Sequence, residues 1–288
     1  MLPLLASLAS AGELVTSFPA GEPVHYRVQM GLKTGDMVQI FAREQIDAML
    51  GDVTMLLLMT CTGEEPGKRD QQVDCAIERA MLTGHGKERE QGEVQVILDE
   101  FAGHLSNGTV ELSIATTGRI KAVDLEGVPK DDSRAATTHE FLRDLVARGV
   151  GPLDIEMPKD GVDPGKAWKQ KSAAGMRHPA GAASGSVKSE NTVTGTEGTS
   201  IALSQTGNGV LETMHSVNNG LGERLVVSIN GTATLDTASG VIVLAEQHVA
   251  AQWSASASRS TIGFDQLAHI ERIDDLAPLI EEFDAAVQ

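Results

Sequence analysis

Much of the chain alternates apolar and polar residues with a period of two, the mark of half-buried strands. Val24, Tyr26, Val28 and Met30 alternate with His25, Arg27 and Gln29. Val53, Met55, Leu57 and Met59 share one side of the next segment, while Leu56 and Leu58 put apolar groups on the other. That strand is therefore expected to be buried on both faces. Residues 73–82, 93–101 and 109–116 continue the alternation and are predicted as further strands.

The second half is punctuated by Asn208-Gly209, Asn219-Gly220 and Asn230-Gly231, eleven residues apart each time. Asn-Gly suits the positive φ angles of tight hairpins, so these dipeptides predict turns. Between them fall predicted strands at 200–206, 210–217, 224–229, 232–236 and 241–253, with a last one at 261–273. Residues 172–189, rich in Ala, Gly and Ser, are expected to form a mobile loop between strands.

One helix interrupts the strands at about 134–148. Asp132-Ser133 offers an N-cap, Phe141, Leu142, Leu145 and Val146 form a stripe, and Gly149 and Gly151-Pro152 stop it. Leu276, Leu279, Ile280 and Phe283 have helical spacing, so the tail 276–288 can form a C-terminal helix capping an open end. The expected fold class is mainly β. It is a large curved antiparallel sheet, an up-and-down meander forming an open or incompletely closed barrel. Residues 13–275 read as a single β domain. The strand–turn–strand pattern after Asn107-Gly108 returns after Asn230-Gly231, at an offset of about 122, which permits two related halves at 13–150 and 151–275. The resemblance of all β meanders to one another explains this equally well.

Composition narrows the classes. The formal net charge is −17, which repels phosphate backbones and anionic headgroups, so no nucleic-acid partner is expected. Only 3% of residues are aromatic, too few to build an extended stacking platform. No apolar run reaches the roughly 20 residues of a membrane span, so an integral membrane protein is not expected. Residues 1–11 have the short apolar stretch and small residues of an export-signal remnant, though without a basic start. Cys61 and Cys75 are the only cysteines, and they lie on segments joined by a polar loop. A hairpin would bring them together as a disulfide, worth roughly 3 kcal/mol in an oxidising compartment; a pair of buried free thiols is the alternative.

Candidate chemistry is thin. Asp236-Thr237-Ala238 has Ala where an aspartic-protease turn needs Gly, and no second such turn exists. His139-Glu140 lacks the second His of a zinc helix, where Arg143 stands. Gly63-x-x-x-Gly67-Lys68-Arg69 is one residue short of a phosphate loop. The eight His never occur as close pairs, although alternating strands could join His215 and His248. Acidic turns near Asp154, Glu156, Asp160 and Asp163 lack EF-hand spacing. No nucleophile, base and orienting group can be assembled, so no enzyme activity, metal or cofactor is expected.

Met157-Pro158 through Pro164-Gly165 to Trp168 forms a Pro-x-x-x-Val-x-Pro-Gly-x-x-Trp turn after a strand and a helix. This turn resembles that of uncharacterised exported β proteins of Gram-negative bacteria. The general layout is similar to that of the lipoprotein carriers LolA, LolB and LppX. That resemblance implies a curved sheet with helices on its concave side, a periplasmic or secreted location in the cell envelope, and an acyl-chain cargo. The Met-rich N-terminal half points the same way, because soft side chains can line an adaptable apolar cavity. Met30, Met55, Leu57, Met59 and Met81 are the expected pocket residues, with Met37 and Met49 near them. Two functions follow as expectations. One is non-catalytic binding or carriage of an apolar, lipid-like ligand. The other is a structural module that takes an envelope protein partner on exposed strand edges.

Overall fold

A computed structural model describes residues 17–33, 52–85, 91–158, 162–178, 181–213, 224–254 and 263–287. The strands in chain order are β1 (Pro23–Lys33), β2 (Asp52–Gly63), β3 (Asp70–His85), β4 (Thr109–Ala115), β5 (Ile120–Glu126), β6 (Ala167–His178), β7 (Gly181–Glu197), β8 (Ser200–Thr213), β9 (Arg224–Asp236), β10 (Val241–Ser254) and β11 (Gly263–Ile273). The helices are α1 (Gln91–Leu105), α2 (Ser133–Gly149) and α3 (Ala277–Val287).

Among the described residues, eleven strands form one antiparallel sheet in the order β5-β4-β3-β2-β1-β11-β10-β9-β8-β7-β6. One meander runs outward from β1 and the other runs inward to β11. The two join where β1 pairs with β11, for example Val28 opposite Ile270. Strands β5 and β6 are the two edges, so the sheet is mainly β, curved and not closed into a barrel.

Alternation decides what is buried. Val24, Tyr26, Val28 and Met30 face the core with Met55, Leu57, Met59, Val73, Leu112 and Ile270. Leu58, on the opposite face of β2, is also buried, as the two-sided pattern of that strand predicts. Tyr26 is fully buried and its hydroxyl donates to the carbonyl of Ile242, while burial pushes its pKa far above the ordinary tyrosine range. Phe18 closes one end of the core. Its N–H and carbonyl are both held by the buried amide of Gln71, and its ring meets Tyr26 edge-on at 6.0 Å.

Helix α2 starts where Asp132 accepts from the backbone N–H of Ala135. Leu142, Leu145 and Val146 enter the core, and Gly149 lets the last turn rest on Met55 and Val28, where a Cβ would stand 2.6 Å from the Met55 Cε. Helix α1 continues the edge of β3 beyond the end of β4. Gln95 accepts from the N–H of Gly84 and donates to the carbonyl of Leu82, and the Ser106 hydroxyl accepts from the N–H of Ala80. These side chains satisfy backbone groups that β4 is too short to reach. Helix α3 lies against β3, tied by the Arg79–Asp284 ion pair at 2.6 Å. Arg79 pairs with Leu58 across the outer face, so the tail packs beside the sheet and is not a plug in its end.

Four local expectations are corrected. Residues 93–101 belong to α1, because Val94, Ile97, Leu98, Phe101, Ala102 and Leu105 sit at helical spacing while Val96 is exposed. Asn208-Gly209 and Asn230-Gly231 lie inside β8 and β9, and none of these glycines has positive φ. The reversals fall instead at Gly198 and Gly240, with φ +59° and +73°, so each pair of expected short strands is one long strand. Residues 172–178 and 181–189 belong to β6 and β7, where ladder pairing outweighs weak intrinsic strand preference. Asn219-Gly220, residues 1–11, Met37, Met49 and His215 lie outside the described residues.

Candidate functional site

Cys61 and Cys75 are directly opposite each other on β2 and β3 and form a disulfide within the core. The free-thiol alternative is thereby set aside.

The expected pocket residues do not line the cleft described below. Met30, Met55, Leu57 and Met59 come together in the core on the inner face, each no more than 1% exposed, with Met55 against the last turn of α2. Met81 is on the other face. A bulge between Leu58 and Met59 of β2, opposite Arg79 and Ile77, inserts Glu78 and reverses the alternation of β3 beyond it. Leu82 then points inward and the half-buried Met81 outward, opposite Leu56.

The inner face of the other meander is different. Four amide side chains cross it, Gln170 on β6, Asn191 on β7, Gln205 on β8 and Gln247 on β10. Gln170 accepts from the backbone N–H of Glu156 at 2.9 Å and donates to the carbonyl of Asp154 at 3.0 Å. Asn191 donates to Gln170 at 3.1 Å, Gln205 to Asn191 at 3.1 Å and Gln247 to Gln205 at 3.0 Å. Gln170, Asn191 and Gln205 are each less than 9% exposed, so these bonds answer the cost of burying amides.

Beside this chain lies a cleft of about 220 Å³. Ile120 and Val123 of β5 form one wall, and Val187 and Ile229 form the facing apolar surface. Gln170, Ser189, Gln205 and Gln247 give it a polar floor. Because β5 and β6 are the unpaired edges, the cleft sits behind the open seam of the sheet. One end of the seam is latched by Arg119. It contacts Asp154 at 2.9 Å and Glu156 at 3.6 Å, and donates to the carbonyl of Lys171 on β6 at 2.9 Å. Burial raises the Asp154 pKa above the ordinary aspartate value, against the opposing pull of Arg119 and the Ile120 N–H.

No protein-family model and no curated protein matches the chain. A lipovitellin structure, described for its lipid–protein interactions, covers 89% of this chain at 11% identity with a TM-score of 0.47. The matched region is 25% of that lipovitellin chain, so this chain spans about a quarter of its length. An outer membrane channel from Pseudomonas putida F1 covers 92% of this chain and 99% of its own, at 8% identity and a TM-score of 0.19. Likenesses this distant say nothing about function, and they do not confirm the resemblance to LolA, LolB and LppX.

Three further residues of the candidate motifs, His139, Asp236 and His248, have structural partners. His139 is buried, with its Nε2 2.7 Å from the carbonyl of Leu125. Asp236 caps the β9–β10 turn, accepting from the Ala238 N–H and the Ser239 hydroxyl, which hold its carboxyl below the usual range. His248 contacts Asp265 at 2.7 Å on the outer face. Sequence reasoning missed the amide row. Its signal was present: Gln205 falls between Leu203 and Gly207, and Gln247 between Ala245 and Val249, at inward positions of apolar strands.

Proposed function

We propose that the protein is a non-catalytic, exported binding protein that holds an apolar, acyl-chain-like ligand in the cleft behind its open seam. The cleft itself carries the reading. It lies on the inner face of an unclosed sheet, with branched apolar side chains on two sides and a seam through which a chain can enter sideways. At about 220 Å³ it is below the roughly 300–1,000 Å³ of ordinary small-molecule sites, which suits one chain and not a bulky multi-chain lipid. The Cys61–Cys75 disulfide fits an oxidising compartment. Among the described residues no helix is long and apolar enough to cross a membrane.

Native mass spectrometry of the protein purified from its own host, with titration of a polarity-sensitive naphthylamine dye, tests this. Co-purified amphiphile and saturable dye uptake are expected, and Ile229→Trp, which fills the cleft, should abolish the uptake. An empty protein that takes up no dye overturns the proposal.

A further inference from the structure

The polar floor of the cleft has a direction. Gln170 meets two backbone groups of fixed character, accepting from the Glu156 N–H and donating to the Asp154 carbonyl. Its orientation is therefore set, and each amide beyond it must donate along the row. The row ends at Gln247, whose Nε2 donates to the Gln205 Oε1. The Gln247 Oε1 accepts no hydrogen bond among the described residues and lies beside Gly151, which lines the same cleft. Ser189 lines it too. Its hydroxyl is on a residue only 6% exposed and has no partner among the described residues. A buried hydroxyl without a partner costs free energy that a ligand can recover.

Charge is the second observation. Among the described residues, Asp154 is the one ionisable group lining the cleft. The neighbouring Arg119 is committed to Asp154, Glu156 and the Lys171 carbonyl. Arg148, near the end of α2, stacks 5.2 Å over the Phe264 ring, donates to Gln266 and does not line the cleft. An anionic head would thus meet a carboxylate and no available cation, within a protein of net charge −17. Burying an unpaired ionised group costs far more than burying a hydroxyl that is hydrogen-bonded.

We infer that the cleft selects a single-chain amphiphile with a neutral, hydroxyl- or amide-bearing head, the class of a monoacylglycerol, over the corresponding ionised fatty acid. This rests on the cleft being the binding site proposed above. A ligand hydroxyl donates to the Gln247 Oε1, and Ser189 supplies a further hydrogen bond.

The test uses the full chain and two competitors of equal chain length, dodecanoylglycerol and dodecanoic acid, displacing the naphthylamine dye at a pH of about 8, where the acid is ionised. The glycerol ester is expected to bind about tenfold more tightly, the difference that one well-made buried hydrogen bond supplies. In Gln247→Leu the two affinities should converge. Ser189→Ala, too small a change to endanger folding, should narrow the gap in the same direction. Equal or tighter binding of the acid by the parent protein overturns the inference while leaving the cleft as the binding site. Variants that keep the full preference overturn it as well. Failure of the protein to take up the dye or either competitor removes both this inference and the function on which it rests.

Discussion

Gln205 and Gln247 sit on strands that are not neighbours, yet their side-chain amides meet at 3.0 Å. Between them, on β9, stands Gly231, paired with Gln205 on one side and Gln247 on the other. The missing side chain is the opening through which the two amides reach each other. Without it the row would stop at β8, and Gln247 would be one more isolated polar residue on an apolar face.

Gly231 is accordingly the position where the smallest change should do the most. A Cβ there would stand 2.7 Å from the backbone carbonyl of Glu246, which cannot move aside as a side-chain tip can. Gly231→Ala should destabilise the fold by about 1–3 kcal/mol through overpacking, despite the better strand preference of Ala. Urea unfolding of the variant against the parent measures it. A neutral or stabilising result would mean that the Gln205–Gln247 link contributes little.

The Arg119 latch should show a distinct pH signature. Arg119→Met keeps the length of the side chain and removes its charge, leaving the largely buried Asp154 carboxylate without its cation. A loss of about 2 kcal/mol near neutral pH is expected, because a charged group left without its partner is costly. Asp154 has a raised folded-state pKa, chiefly from burial. The folded protein therefore binds this proton more tightly than the unfolded chain does. Its contribution is fully present below the ordinary aspartate pKa of 3.8 and is lost as pH rises through the folded value. Removing Arg119 raises that value further, so the penalty in Arg119→Met should shrink on acidification towards about pH 4. Chemical denaturation at several pH values checks this, and a penalty that grew on acidification would contradict it.

The architecture was legible because period-two alternation is a direct consequence of backbone pleating, which Val24 to Met30 shows with one apolar face and Val53 to Met59 with two. Helix α2 was equally plain, with Asp132 at its start and Gly149 at its end. Turn positions were not. Asn-Gly favours a hairpin but does not enforce one, and inside β8 and β9 the ladder bonds on both sides outweigh the local preference. The candidate site was harder to place for a related reason. Residues lining a cavity and residues filling a core are both apolar and inward, so Met55 could belong to either, and only the position of α2 decides. The bulge at Glu78 that turns Met81 outward is marked in the sequence only by the consecutive polar residues Glu78 and Arg79, where the apolar positions shift from 73, 75 and 77 to 80 and 82.

The disulfide offers a cleaner measurement. Cys61 and Cys75 are separated by 14 positions, and the loop they close carries Gln71, the residue that holds Phe18 against the end of the core. Replacing both by Ala should cost about 3 kcal/mol, the loop-entropy figure for a ring of this size. The same loss should follow reduction of the parent, since the sulfurs are fully buried and otherwise serve only as packing. Denaturation with and without reductant measures it. If the bond were dispensable, the two curves would superimpose.

Stability and binding should separate along the line between the two meanders. Met55 is fully enclosed, and its Cε touches the last turn of α2. Met55→Ala should therefore cost about 2–5 kcal/mol, the range for emptying a packed core, while the folded fraction still takes up dye with parental affinity. Met81, half-buried on the other face, should tolerate Met81→Gln at a cost of about 1 kcal/mol or less, also without effect on uptake. Ile229→Trp should behave in the opposite way, losing uptake at a smaller cost in stability, because half-buried Ile229 lines the cleft at the margin of the Val187–Leu225–Val227 cluster and its added volume can enter the cleft. If dye affinity instead fell with Met55→Ala and held with Ile229→Trp, the ligand would belong among the methionines of the first meander, and the seam-side cleft would be an incidental gap between two sheet edges.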